Sequence, residues 1–216
     1  MMALIGPSGG GKSTALDIIA GFVDADADVA IDGRDISALP PAARPASMLF
    51  QEHNLFPHLS ALENVALGAD PSWQPGRAAR AKANEALEAV GLGGLGLRKP
   101  AELSGGQRSR AALARALIRA RPVLLLDEPF AALDEITRLK LNNDLLHPWE
   151  SLGRTVNIVT HSVLDSVHLS DRIVVSAPQP GRAVHDLAVG APPPPEEDVR
   201  PSSRSTPPPI NPRRTR

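Results

Sequence analysis

Nine residues near the start, Gly6-Pro7-Ser8-Gly9-Gly10-Gly11-Lys12-Ser13-Thr14, carry the most specific chemistry in this 216-residue chain. They fit a glycine, four residues, then Gly-Lys-Ser/Thr, the pattern whose backbone N–H groups wrap nucleotide phosphates. Glycines at four of the nine positions let the backbone turn inward around an anion, and the following helix would aim its positive N-terminal end at the same anion. Lys12 would neutralise the β and γ phosphates and the Ser13 hydroxyl would ligate Mg²⁺. A second chemical pair is Asp127-Glu128, directly after the wholly apolar run Val123-Leu124-Leu125-Leu126. Two acids at the end of a buried strand are costly unless used. Asp127 is placed for the Mg²⁺ shell and Glu128 for activating the water that attacks the γ phosphate. Two more polar residues close apolar strands in the same way, Gln51 after Ser47–Phe50 and His161 after Val156–Thr160.

These residues need a scaffold that delivers strand ends to one edge, and the pattern predicts an α/β fold with a parallel sheet. Met2-Ala3-Leu4-Ile5 is the strand before the phosphate loop, and Asp17 to Phe22 lies in the helix after it. Val29 to Ile31 reads as a strand turning at Asp32-Gly33. Ser60 to Leu67 reads as a helix opened by Ser60 with Glu63 three residues on, and Arg77 to Val90 as another. Leu103-Ser104-Gly105-Gly106-Gln107 precedes a long Ala/Leu/Arg helix from about Arg108 to Ala120, so Ser104 and the two glycines form a second anion-favouring helix start, without a lysine. An amphipathic helix with Ile136, Leu139, Leu141 and Leu145 follows Asp134, and Arg172 to Ser176 reads as the last strand. From Ala191 to Arg216 nine residues are proline with few apolar ones, which predicts an extended, disordered tail.

A formal net charge of −1 gives no electrostatic footprint for nucleic acid or anionic membrane. The absence of cysteine excludes a disulfide framework and points to a reducing, cytoplasmic compartment. No apolar run has the length of a membrane helix, and Met1 to Ile5 is too short for a secretory signal, so membrane association would pass through a partner. The alternating acids Asp24, Asp26 and Asp28 lack the rest of a calcium loop, with Val29 where glycine is needed, and His53, His58, His147, His168 and His185 show no ligand spacing.

In order and spacing, Gly6 to Thr14, Gln51, Leu103 to Gln107, Asp127-Glu128, Asp134 and His161 resemble the ATP-binding subunits of ABC transporters. The resemblance spans residues 2 to about 190. It implies a P-loop NTPase with a RecA-like core in two parts, 1–61 and 120–190, an inserted helical signature subdomain over 62–119, and the tail over 191–216. It implies ATP and Mg²⁺ as cofactors, with Ser13, Gln51 and Asp127 at the metal. Glu128, His161 and Gln51 would be catalytic, and Asp134 would lie in a dimer-contact loop. Two copies would pack head to tail so that Ser104 and Gly106 of one meet the γ phosphate held by Lys12 of the other. Permease subunits, and through them a solute-binding protein, would hold the pair at the cytoplasmic face of the inner membrane.

Within the family, residues 40–134 look like bacterial thiamine importers, whereas Asp134-Glu-Ile-Thr-Arg138, Val159-Thr-His-Ser162, Leu169-Ser-Asp-Arg172 and Pro180-Gly-Arg182 look like nitrate, sulfonate and taurine importers. The first half includes the partner-facing glutamine loop, and thiamine or a precursor is the expected cargo. Family members carry early strands and an adenine-stacking aromatic before the phosphate loop. This sequence has five residues there and no tyrosine, so a misplaced start or a truncated, inactive subunit is an alternative expectation. Soluble ABC ATPases of DNA repair or translation are disfavoured, because the chain has neither coiled-coil heptads nor a second cassette.

Overall fold

The computed structural model describes residues 1–51, 54–131, 153–178 and 181–190. Its main sheet contains β1 (Met2–Ile5), β4 (Ala46–Leu49), β5 (Val123–Asp127), β6 (Thr155–Val159), β7 (Arg172–Ser176) and β8 (Ala183–Ala188), in the order β4-β5-β6-β1-β7-β8. All pairings in it are parallel except that of β7 with β8. A small antiparallel pair, β2 (Ala30–Ile31) and β3 (Arg34–Asp35), turns at Asp32-Gly33, both with positive φ (51° and 73°), as a tight hairpin turn requires.

Strand β5 shows why its sequence is apolar throughout. Leu124 and Leu126 pack into a cluster with Ala112, Leu113 and Phe130 on one face of the sheet, while Val123 and Leu125 pack with Leu16 and Ala20 on the other. Alternate side chains point to opposite faces, so a strand covered on both sides must be apolar at every position. Each fully buried Leu contributes about 1.5–3 kcal/mol, which fixes the register that carries Asp127 opposite Val159 on β6.

Helix α1 (Lys12–Ala20) covers one face. Helices α2 (Ala61–Ala69), α3 (Arg77–Ala89) and α4 (Gly105–Ile118) pack together around Ala61, Val65, Ala83, Leu87, Ala111 and Ala114. Helix α4 serves two cores, because Ala112, Leu113 and Ala116 turn to the sheet while Ala111 and Ala114 turn to α2 and α3. Helix α2 starts at the expected capping box, in which the Glu63 N–H donates to the Ser60 hydroxyl and the Ser60 N–H to the Glu63 carboxylate. The short helix α5 (Val163–Leu169) follows His161.

One reading of the sequence is corrected. Arg172–Ser176 is not the last strand, since β8 runs antiparallel beside it and Arg172 makes a bidentate pair with Asp186 across the two (2.8 and 2.6 Å). All six β8 residues are exposed, so no buried stripe marks the strand in the sequence. The helix expected after Asp134 and the proline-rich tail lie outside the described residues, as do Asp134, His53 and His147.

Candidate nucleotide site

Parallel pairing sets the C-terminal ends of β1, β5 and β6 side by side, and the chemistry-bearing residues follow from these ends. After β1 the loop turns through Gly6, Pro7, Ser8, Gly9 and Gly10 to Gly11, whose φ of 74° makes it a left-handed N-cap for α1. Gly6 could carry no side chain, since a Cβ would stand 2.2 Å from Ser176 Oγ and 2.6 Å from the Ser176 carbonyl oxygen. Lys12 is buried and arches back over the loop, its ammonium donating to the carbonyls of Gly6 (2.9 Å) and Pro7 (2.8 Å). This curls the cation back over the loop beside the N-terminal end of α1, where an oligophosphate would meet both.

The Ser13 hydroxyl, at the start of α1, donates to Asp127 Oδ1 at 3.1 Å, so a residue of the loop and one of β5 converge 114 positions apart. Burial pushes the Asp127 carboxyl up from its ordinary value. The negative charges of Glu128 and Asp17 add to that, and the Ser13 hydrogen bond and Lys12 partly offset it. A buried carboxylate beside a hydroxyl is an all-oxygen donor set of the kind a hard divalent cation takes, and the pair fits Mg²⁺.

Glu128 follows in a left-handed backbone conformation (φ 45°), a strained state for a non-glycine residue that costs on the order of 1–3 kcal/mol. Its N–H donates to the Val159 carbonyl (2.9 Å) and its own carbonyl accepts from the Ala131 N–H (3.1 Å), which hold the turn in place. The strain swings the Glu128 side chain away from Asp127 and toward β6, where Glu128 Oε1 lies 2.5 Å from His161 Nε2. An imidazole nitrogen and a carboxylate oxygen at that distance are in direct polar contact.

Lys12, Ser13, Asp127, Glu128 and His161 are thus gathered at one edge of the sheet. Gln51 is exposed two residues beyond β4, and Ser104 is exposed at the start of α4, where its hydroxyl accepts from the Gln107 N–H and its N–H donates to Gln107 Oε1. Among the described residues, no hydrogen bond or ion pair joins Gln51, Ser104, Gly105, Gly106 or Gln107 to the gathered residues. Two features escaped the sequence reading. Ser176 backs Gly6, and Gly181 packs so closely on the Gly10 carbonyl that a Cβ would approach it to 2.3 Å. The only signal was the Gly181 of a turn, uninformative until β8 was known to pair with β7.

A parallel sheet with a phosphate loop after its first strand, and a paired acid, hydroxyl and histidine at neighbouring strand ends, defines a phosphate-loop NTPase. The ABC transporter family model matches residues 1–131. Thiamine import ATP-binding protein ThiQ of Cereibacter sphaeroides is 48% identical, the match covering 85% of this chain and 82% of the relative. The Escherichia coli protein of the same name is 45% identical over 82% of this chain and 76% of its own. Among solved structures, the dimeric ATP-binding cassette MJ0796 bound to ADP and phosphate superposes with a TM-score of 0.77 at 33% identity, covering 88% of this chain and 85% of that one. The chain belongs to the ABC transporter family, as its ATP-binding, ATP-hydrolysing component.

Proposed function

We propose that this chain drives thiamine import, as one of two head-to-tail copies beneath permease subunits at the cytoplasmic face of the inner membrane. The observation that carries the ATPase part is the meeting of Ser13 with Asp127 and of Glu128 with His161 at adjoining strand ends beside Lys12. The cargo rests on the names of the relatives. In this reading residues 1–61 and 120–190 form the nucleotide-binding core, 62–119 the signature subdomain, and 191–216 a tail.

Gly6 to Thr14 hold the β and γ phosphates through backbone N–H groups, with Lys12 leaving the Gly6 and Pro7 carbonyls for the phosphate oxygens. Ser13 and Asp127, joined by Gln51, would hold Mg²⁺, which would neutralise charge on the phosphates. Glu128 Oε1 takes the proton of the attacking water, and His161 holds that carboxylate in position. Ser104, Gly105, Gly106 and Gln107 of the second copy supply the helix start that closes on the γ phosphate, which supports the dimer as the hydrolysing unit.

Among the described residues no helix is long and apolar enough to cross a membrane; in this reading the permease subunits supply the attachment. A cavity of 360 Å³ between α2, α4 and β4 supports the permease contact. Phe50, Phe56 and exposed Trp73 give it apolar walls, and Arg115 and Arg119 stand at its side. Such a groove suits a short helix with an apolar face and an acidic residue.

The test is uptake. This chain, expressed in a bacterium lacking its own thiamine-import ATPase, should restore accumulation of labelled thiamine at low external concentration, and Lys12→Ala should not. Residues 134–182 looked like the importers of nitrate, sulfonate and taurine. Restored uptake of taurine or nitrate in a strain lacking that ATPase, with none of thiamine, would overturn the cargo and leave the ATPase reading standing.

A further inference from the structure

The phosphate loop opens on one side into a cavity of 380 Å³. Gly10, Gly11, Lys12 and Thr14 form its phosphate end. Beyond them the walls turn aliphatic with Leu4 of β1 and Ala15 and Ile18 of α1, and the open rim is formed by Gly181, Arg182 and Ala183 at the start of β8. Its volume falls within the range of small-molecule pockets.

Arg182 is exposed at this rim, and no ion pair or side-chain hydrogen bond occupies its guanidinium among the described residues. Its backbone is nevertheless fixed. The Ala177 N–H donates to the Arg182 carbonyl (2.9 Å), and the preceding Gly181 is pressed against the Gly10 carbonyl. A planar cation is therefore anchored one residue from the phosphate loop, opposite an aliphatic wall. That arrangement matches a flat aromatic ring with phosphates attached. The ring would slide between the guanidinium plane and the side chains of Leu4 and Ile18, and the phosphates would run to Gly10, Gly11 and Lys12.

We infer that this cavity is the base-binding half of the nucleotide site and that Arg182 stacks on the base. The inference rests on ATP binding at the phosphate loop and adds the residue that holds the base. Apart from the two cations Lys12 and Arg182, the side chains that line the cavity offer the Thr14 and Ser176 hydroxyls for hydrogen bonding, with no carboxylate or amide to read a base edge among the described residues. Base selection should accordingly be shallow, governed by ring size more than by edge pattern, with purines preferred over pyrimidines.

Calorimetry on the whole chain with ATP, GTP, CTP and inorganic tripolyphosphate tests this, using Arg182→Ala and Arg182→Lys. Arg182→Ala should weaken ATP and GTP by roughly three- to 30-fold, the yield of a guanidinium–ring contact. Tripolyphosphate, which has no base, should change less than about twofold. Arg182→Lys should also weaken ATP, because a point charge does not stack. As a second readout, 2-aminopurine riboside triphosphate should lose fluorescence on binding the parent and regain it with Arg182→Ala. Unchanged ATP affinity in Arg182→Ala would overturn the inference. So would a parallel loss for ATP and tripolyphosphate, or full rescue by Lys, since either assigns Arg182 to the phosphates. A parent chain that binds neither ATP nor tripolyphosphate would instead sink the ATPase reading.

Discussion

His161 Nε2 lies 2.5 Å from Glu128 Oε1, although one residue follows β6 and the other β5. The contact exists because the register sets Asp127 opposite Val159, so that two residues beyond Val159 the chain passes the strained Glu128 turn. The glutamate is pinned by its own N–H on the Val159 carbonyl as well as by the imidazole, and both anchors belong to β6 or the residues after it.

If Glu128 is the base and His161 its positioner, the two should separate kinetically. Glu128→Gln keeps the shape and removes the proton acceptor, so kcat should fall by about 10²- to 10⁴-fold while ATP still binds and holds two chains together. His161→Ala should lower kcat with ATP affinity little changed. Single-turnover hydrolysis and sedimentation with ATP measure both, and a Glu128→Gln chain turning over at the parent rate would end the assignment.

The Ser104 hydroxyl is engaged in capping α4, and no hydrogen bond or ion pair among the described residues joins it to Lys12. If the γ phosphate site is composite, Lys12→Ala and Ser104→Arg chains should each be inactive alone. Mixing them should restore part of the ATPase rate, because a mixed dimer keeps one intact site. Full activity of Ser104→Arg by itself would show that each chain hydrolyses ATP alone.

The parts of the fold legible in the sequence were those with a strict local rule. A continuous apolar run gave β5, the β-rich run Val156 to Thr160 gave β6, the glycine-lysine pattern gave the loop before α1, and Ser60 with Glu63, and Ser104 with its two glycines, gave two helix starts where capping hydrogen bonds are found. Strand β8 was missed because an exposed edge strand needs no apolar stripe: Val184 and Leu187 stand in solvent beside His185 and Asp186. Pair geometry was also beyond reach. That Ser13 meets Asp127, or that Gly181 backs Gly10, depends on strand order, and strand order is a tertiary outcome with no local signature.

Arg44 is a structural residue that neither motif nor periodicity flagged. Its buried guanidinium donates to four carbonyls, those of Ile18 (2.5 Å) and Ile19 (3.0 Å) at the end of α1, and of Ser37 and Leu39 (2.8 Å each) in the loop before β4. It satisfies the last turn of α1 in place of water, and Gly21 lacks a Cβ where one would meet Arg44 Nε at 2.5 Å. Arg44→Ala strands these carbonyls and opens a void, and should cost about 3 kcal/mol. That is roughly 6–12 °C in Tm for a domain of this size. Arg44→Lys, with a single donor centre, should recover little. A melting temperature within about 2 °C of the parent for Arg44→Ala would show that α1 is held elsewhere.

The final prediction concerns pH and the Ser60–Glu63 cap. The Glu63 carboxylate accepts from the Ser60 N–H (2.9 Å) and hydroxyl (2.8 Å), and the backbone hydrogen bond is the first cause holding its pKa below the ordinary 4.5. A carboxyl depressed on folding contributes stability that is present above its unfolded pKa and lost as pH falls through the lower folded value. Glu63→Gln should therefore destabilise the chain near neutrality by about 0.5–1 kcal/mol, toward the low end of capping effects because the side chain is partly exposed. The gap between parent and variant should close as the pH is lowered through 4.5 and below. Urea titrations of both proteins across that range give the comparison directly. A gap that stays constant down to the acid limit would mean that Glu63 supports α2 through packing alone, and that its charge is irrelevant to the cap.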